Sequence, residues 1–217
     1  MATSEAGPRD LLFGDLPASE WPKGNRASGE PWQSFVEARK LLESGTAAKA
    51  VETLQRILAM PELESRHYLQ AWHFLRLAHV QPAAEMAKQL YGVVVEVSLE
   101  QGLDIVAAYT DLSARYFNFS GGSIIWDHPN GSLEAAVQGL LEAGGVVVQQ
   151  IGPWEGPRPP APKKGDARIN FLTPSGLHFG QAKLEQLSRD PLGGPVIARA
   201  IQLMEGLIAK TQRPARA

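Results

Sequence analysis

Hydrophobic and polar residues follow two different periods along this chain. From Pro31 to about residue 90, apolar residues recur at the three-to-four spacing of an amphipathic helix. From Gly92 onward, short β-branched and aromatic runs follow one another, separated by turn residues. The pattern therefore predicts a helical segment followed by a domain built around a sheet.

The helical segment contains three predicted helices. The first opens at Pro31, which suits a first helical position, and ends at Gly45. The second opens at Thr46, a plausible N-cap, and ends before Pro61. The third ends before Pro82. Short connections between these helices predict a helical hairpin.

In this segment "SGTAAKAVETLQRILAMPE", followed by "QAWHFLRLA", resembles a tetratricopeptide unit. Small or apolar residues stand at that family's packing offsets: Gly45, Ala50, Leu54, Leu58, Pro61, Ala71, Trp72 and Leu75. The resemblance covers about residues 32–90, one repeat with a following half, and implies a helical hairpin. About three stacked repeats are needed for independent stability, so we expect other parts of the chain to cover this one.

The second part of the chain begins with four strand-like runs, "GVVVEVSL", "LDIVAAYT", "ARYFNF" and "SIIWD". Separators of so few residues require antiparallel neighbours, which predicts a four-stranded meander. The first run is apolar nearly throughout, as expected for a central strand covered on both faces.

A helical pattern follows from Ser132, and its end has two interpretations. Helical spacing continues to Ile151, but two adjacent glycines argue against a continuous helix. The alternative is a helix that ends at Ala143, with residues 146–151 as a strand.

The remaining elements are predicted from proline and glycine. Residues 152–165 form a proline-rich loop, and "RINFLTPSGLHFG" forms a hairpin that turns at Pro174–Gly176. A last helix is opened by Pro195 in its first turn. Pro157–Pro162 could also serve as a ligand of a proline-recognition domain, although a surface crossover loop is favoured.

We therefore predict an α+β protein with three parts: a flexible arm (1–30), a tetratricopeptide-like hairpin (31–91) and an antiparallel-sheet domain with flanking helices (92–212). The order of meander, helix, hairpin and helix is similar to that of the profilin, longin and roadblock folds. That similarity of element order implies no function for any single residue.

The arm is rich in Gly, Pro, Ser and charge, yet it contains an apolar island. Its members are candidate partner-binding residues: Leu11, Leu12, Phe13, Leu16 and Trp21. One interpretation is a docking motif that becomes ordered on a partner. The other is an arm that packs on its own body.

Composition excludes several classes of function. The chain has no cysteine, which excludes disulfides, thiolate nucleophiles and Cys-ligated metals. The net charge of -2 gives no basic excess for nucleic acid. No apolar run approaches the ~20 residues needed to cross a bilayer, and the N-terminus lacks the pattern of a signal peptide. We expect a soluble cytoplasmic protein that binds neither nucleic acid nor membranes.

Histidine spacing gives no metal site. His67, His73 and His79 are six residues apart, so neighbouring imidazoles point to different faces of a helix. We predict packing around Trp72 instead, with no bound metal.

Two further polar pairs are candidates for catalysis. Asp127 and His128 are adjacent at a strand end and would point to opposite faces, which favours a turn or cap role for Asp127. Ser175 and His178 lie near each other, but the Pro-Ser-Gly order is typical of a tight turn. The glycine pairs lack the pattern of a phosphate-binding loop, and no cofactor is expected.

These observations favour a non-enzymatic protein-interaction module, an adaptor or accessory subunit of a larger cytoplasmic assembly. Its expected partner is another protein, and a homo-oligomer through a sheet edge is a further expectation. An immunity or regulatory protein for one toxin or GTPase has the same sequence features.

The alternative is a small-ligand sensor, or an enzyme, with a pocket between sheet and helices. Five residues would line this pocket if their strands are neighbours: Arg115, Tyr116, Trp126, Arg168 and His178.

Overall fold

The computed structural model describes residues 7–22, 28–127 and 129–211. The chain divides into two compact units. Unit 1 comprises Met1–Gln89 with Pro174–Gly176, and unit 2 comprises Leu90–Thr173 with Leu177–Ala217. N-terminal helices precede an antiparallel sheet with flanking helices, which confirms the predicted α+β class. Within the described residues, none of the helices has the length and apolar character needed to span a membrane.

Unit 1 contains the three predicted helices. They are α1 (Trp32–Glu43), α2 (Ala47–Leu58) and α3 (Ser65–Leu77), followed by a short α4 (Ala84–Ala87) that the sequence pattern did not predict. Thr46 occupies the predicted N-cap position of α2. Pro31, predicted at a first helical position, is instead the N-cap of α1, so α1 begins one residue later than predicted. Gly45 has a φ of +74°, and this left-handed residue separates α1 from α2.

Helices α1 to α3 share one apolar cluster. Its buried members are Phe35, Ala38, Leu54, Ile57, Ala71, Trp72, Phe74 and Leu75. The helical period that predicted these elements therefore also predicted most of the core of unit 1.

Unit 2 is built on a six-stranded sheet. Its strands are β1 (Gly92–Ser98), β2 (Leu103–Tyr109), β3 (Ala114–Phe117), β4 (Ser123–Trp126), β5 (Asp166–Thr173) and β6 (Gly176–Lys183). Their order is β4-β3-β2-β1-β5-β6, which contains the predicted meander and hairpin. The apolar first strand, β1, is central and pairs with β2 and β5.

Three helices complete unit 2: α5 (Glu134–Val148), α6 (Leu184–Arg189) and α7 (Gly193–Thr211). Helices α5 and α7 contribute buried side chains such as Leu140 and Leu203 to one cluster with the sheet residues Val93, Val106 and Phe171. This apolar layer is the core of unit 2. Helix α6 was not predicted.

The structure decides between the two interpretations of the segment after Ser132. Helix α5 continues through Gly144 and Gly145 to Val148, so the strand over residues 146–151 is wrong. The reason is close packing against β1. A Cβ atom at Gly144 would lie 2.6 Å from the Cγ2 atom of Val93, closer than real side-chain contacts allow. Glycine therefore stands inside this helix because the sheet approaches it too closely for a side chain.

The two adjacent glycines provide a matched test of this explanation. Gly144→Ala should lower the free energy of unfolding by about 1–3 kcal/mol, because the new methyl group displaces the buried Val93. Gly145→Ala should instead raise it by up to about 1 kcal/mol, since no atom lies within 4 Å of the added Cβ and alanine favours a helix. Urea unfolding of both variants measures the difference, and equal effects would contradict the packing argument.

Candidate functional site

The arm is attached to helix α3 by the side chain of Gln70. The Oε1 atom of Gln70 accepts a hydrogen bond from the main-chain N–H of Leu16 at 3.1 Å. The Nε2 atom of Gln70 donates to the carbonyl oxygen of Leu16 at 2.8 Å. Both bonds are buried, so one amide satisfies both main-chain groups of an arm residue away from water.

A glycine allows the arm backbone to lie directly on α3. Gly14 has a φ of +61°, and a Cβ atom there would lie 2.6 Å from the Cβ of Leu69 and 2.9 Å from the carbonyl oxygen of Arg66. Nearby, the NH1 group of Arg66 donates to the carbonyl oxygen of Leu11 at 3.2 Å. Glycine is therefore required here both for the backbone conformation and for the close approach.

The structure separates the five candidate residues of the arm into two groups. Leu12, Phe13 and Leu16 are buried, so they hold the arm in place and present little surface to a partner. Leu11 is 41% exposed, and Trp21 is partly buried with its ring 5.8 Å from the ring of Phe35. The described part of the arm thus packs on its own unit, as the second interpretation predicts.

The arm and the first residue of α1 line an open cavity of about 490 Å³ in unit 1. Its described lining residues are Leu11, Leu16, Glu20, Trp21, Pro22, Ser28 and Trp32. The ring centroids of Trp21 and Trp32 are 5.1 Å apart and the rings are tilted by 49°, so they form two adjoining aromatic walls. We call this space the arm cavity. Three of the five predicted partner-binding residues, Leu11, Leu16 and Trp21, line it.

Contacts from the helices hold these walls. The ring of Trp32 meets the imidazole of His67 edge to face at 4.9 Å, which joins the start of α1 to α3. The NH1 group of Arg39 donates to the carbonyl oxygen of Pro22 at 2.8 Å. The arm cavity is therefore bounded by side chains with defined partners, a condition for selective binding.

The five predicted pocket residues of unit 2 do not come together. Arg115 and Tyr116 are neighbours on β3 and point to opposite faces of the sheet. Strands β2 and β1 separate β3 from β5, which contains Arg168. His178 is fully buried on β6, next to β5. A common pocket required the strands of these five residues to be neighbours. Because β3 and β5 are not neighbours, the five residues do not line one pocket.

On β3, both candidate side chains have local partners. Arg115 forms an ion pair with Asp127 and also donates to the carbonyl oxygen of Ala114 at 3.0 Å. The hydroxyl of Tyr116 donates to the carboxylate of Asp104 at 3.2 Å. Burial, together with the negative charge of Asp104 and this hydrogen bond, raises the pKa of Tyr116. These contacts stabilise the sheet and its connections.

Arg168 is the centre of a buried polar cluster on β5. Its Nε atom donates to Gln181 on β6 at 2.8 Å, and its NH1 group donates to the carbonyl oxygen of Pro160 at 2.7 Å. The same NH1 group lies 3.5 Å from the carboxylate of Glu96 on β1, which also accepts from Asn170 at 3.1 Å. Glu96 and Asn170 have no exposed surface. The cluster therefore joins three strands and the proline-rich loop, and its acid is closed to solutes.

The proline-rich loop is attached to the sheet at a second point. The main-chain N–H of Trp154 donates to the carbonyl oxygen of Leu177 at 2.6 Å. The centroid of the Trp154 ring lies 5.3 Å from that of the Phe179 ring. This position agrees with the predicted surface crossover loop.

A second cavity, of about 160 Å³, lies in unit 2 between the sheet and the helices. Its walls are nearly all apolar: Val95, Val97, Leu99, Asp104, Val106, Leu184, Ile197, Ala200, Ile201 and Met204. None of the five predicted pocket residues lines it. Its chemistry suits a small apolar molecule.

The remaining catalytic candidates have structural roles or lie outside the described residues. His128 is outside the described residues, and Asp127 pairs with Arg115. Ser175 lies in the turn between β5 and β6, as the Pro-Ser-Gly order predicts. Within residues 7–22, 28–127 and 129–211, no group of three His, Asp or Glu side chains is placed to hold a metal ion.

Comparison with protein-family models, curated proteins and solved structures found no match.

Three residues important to the arm cavity were not predicted as site residues. Trp32 was the first residue of a helix, and Glu20 was one of several charges in a polar segment. A weak signal was present, since Trp21 precedes a proline and Trp32 follows one. The sequence around Gln70 does not indicate its role, because that role depends on its contact with Leu16, 54 residues away in the chain.

The three histidines have three different surroundings. His67 is buried against Trp32, His79 is exposed just after α3, and His73 is partly buried. Burial, with the positive charge of Arg76, lowers the pKa of His73 to about 4, against a smaller opposing influence of Asp15.

Replacing Gln70 should test how the arm is held. Gln70→Leu removes both hydrogen bonds to Leu16 and should lower the free energy of unfolding by about 1–3 kcal/mol, with faster hydrogen exchange at the Leu16 amide. Gln55→Leu, on the exposed side of α2, is the control and should change stability by less than about 0.5 kcal/mol. If both variants behaved alike, the amide of Gln70 would not be what holds the arm.

The pKa of His73 predicts a pH dependence of stability. The folded state keeps His73 neutral down to about pH 4, whereas the unfolded chain takes up a proton near its ordinary pKa of 6.5. The contribution of His73 to the free energy of unfolding is therefore fully present above pH 6.5 and is lost as the pH falls toward 4. Urea unfolding between these values should show a smaller loss for His73→Gln than for the wild type. If the free energy of unfolding fell equally with pH in both proteins, His73 would not contribute to the pH dependence.

Proposed function

We propose that this chain is a non-enzymatic protein-interaction module, an adaptor or accessory subunit of a larger cytoplasmic assembly. In this proposal the helices of unit 1 act as a tetratricopeptide-like hairpin, and a partner protein binds at the arm cavity.

One observation carries the proposal: the arm is fixed in place and forms a cavity with aromatic walls. Tryptophan is enriched where proteins bind one another, because a large ring contributes much contact area at low entropic cost. Trp21 and Trp32 are both partly buried, so part of each ring is already held while part remains accessible. Preorganisation of this kind reduces the entropy lost on binding.

The polar residues of unit 2 support an interaction role rather than catalysis. Arg115 and Arg168 are each engaged by an acid and by main-chain carbonyl groups. These contacts occupy the groups that the sequence suggested for a polar pocket.

The proposed homo-oligomer would use an outer strand of the sheet. Strand β4 is one outer strand, and Ile125 on it is 56% exposed. Unpaired main-chain groups and an exposed apolar side chain favour pairing with another strand.

A small-ligand sensor is the second candidate function. The apolar cavity between β1, β2 and α7 favours it, with a small apolar molecule as the ligand in place of the polar one suggested by the five predicted residues.

The experiment compares two exposed leucines of unit 1. Wild-type protein, purified gently from native lysate, should retain a protein partner in stoichiometric amount, measured by size-exclusion chromatography with light scattering and mass spectrometry. Leu11→Asp, in the arm cavity, should lose this partner, whereas Leu77→Asp, 59% exposed on α3, should keep it. Recovery of free monomer from the wild type, or retention by Leu11→Asp, would contradict the proposal; free monomer would favour the sensor.

A further inference from the structure

We infer that the arm cavity binds a cationic side chain, a guanidinium or an ammonium group, presented by the partner protein. This inference rests on the proposed function and adds the chemistry of the group that is recognised.

Glu20 contributes a carboxylate to the lining of the arm cavity. It is the one charged group among the described lining residues, and it is partly buried. Among the described residues its carboxylate makes no hydrogen bond and no ion pair. A partly desolvated carboxylate without a partner attracts a cation more strongly than a fully solvated one does.

Two indole rings, those of Trp21 and Trp32, also line the arm cavity. Tryptophan is the best aromatic partner for a cation, which binds over the ring face within about 6 Å of its centre. The tilt of 49° between Trp21 and Trp32 sets two ring surfaces at an angle around the cavity. Leu11, which is exposed, supplies an apolar surface that suits the methylene groups of a lysine or arginine side chain.

Two arginines near the arm cavity already have acidic partners. Arg39 approaches the cavity at Pro22, but it donates to the Pro22 carbonyl and lies 4.0 Å from the carboxylate of Glu43. Arg66 is ion-paired with Glu64. Since each of these cations has an acid beside it, we expect neither to neutralise Glu20, which leaves one negative charge among the described lining residues.

The volume agrees with this ligand. A space of about 490 Å³ lies within the usual range for binding sites of about 300–1,000 Å³. It accommodates one long side chain together with part of the adjoining main chain.

The test uses amino-acid probes that differ in charge and little in shape. The full chain, labelled with ¹⁵N, is titrated with Nα-acetyl-arginine amide and with its neutral isostere Nα-acetyl-citrulline amide. The chain has five tryptophans, and single Trp→Phe variants assign their indole N–H signals. We expect saturable shifts of the Trp21 and Trp32 signals with the arginine probe and much weaker ones with citrulline. Glu20→Gln should weaken arginine binding about three- to tenfold, and Glu52→Gln, exposed on α2, should leave it unchanged.

Equal binding of the two probes, or no saturable shift at Trp21 and Trp32, would overturn the inference. An unchanged affinity in Glu20→Gln would also overturn it. These outcomes are separable from failure of the proposed function. If Leu11→Asp loses the partner but the cavity shows no preference for arginine, the interaction module is supported and the cationic ligand is rejected. If the arginine probe binds but the wild type retains no partner protein, only the interaction module is rejected.

Discussion

The amide of Gln70 forms two hydrogen bonds with the main chain of Leu16. These bonds hold the arm, a segment rich in proline and glycine, against helix α3. Such a segment has few main-chain bonds of its own, so its polar groups need partners when it is buried. Gln70 supplies both partners from a helix, and Gly14 lets the backbone come close enough for the bonds to form. The arm cavity depends on this attachment, because the arm contributes most of its lining.

Unit 2 uses close approach and buried charge in a different way. Helix α5 meets β1 at Gly144, where the absence of a side chain lets helix and sheet come into contact. Arg168, itself buried, links Glu96, Gln181 and the proline-rich loop. Breaking a buried pair of this kind leaves an uncompensated charge, so the cluster specifies where β1, β5, β6 and the loop must lie.

Most helices and strands of the fold were predictable, because hydrophobic periodicity reports which side of an element is buried. Helices α1 to α3, the meander, the hairpin and α7 follow from it. The C-terminal half of α5 did not. Gly144 and Gly145 are poor helix residues, and the contact with Val93 that explains the first of them joins residues about fifty positions apart. The short helices α4 and α6 also carry too few residues for a period to be recognised.

The candidate site was predictable only in part, for the same physical reason. Sequence alone determined the α+β class, the apolar island of the arm and the absence of cysteine chemistry, since these depend on local pattern and composition. Tertiary structure decided that Leu12 and Phe13 are buried, that Trp32 and Glu20 join Trp21 at one cavity, and that Arg115 and Arg168 lie on separated strands. Which side chains meet depends on contacts between distant residues, and a local pattern contains no information about such contacts.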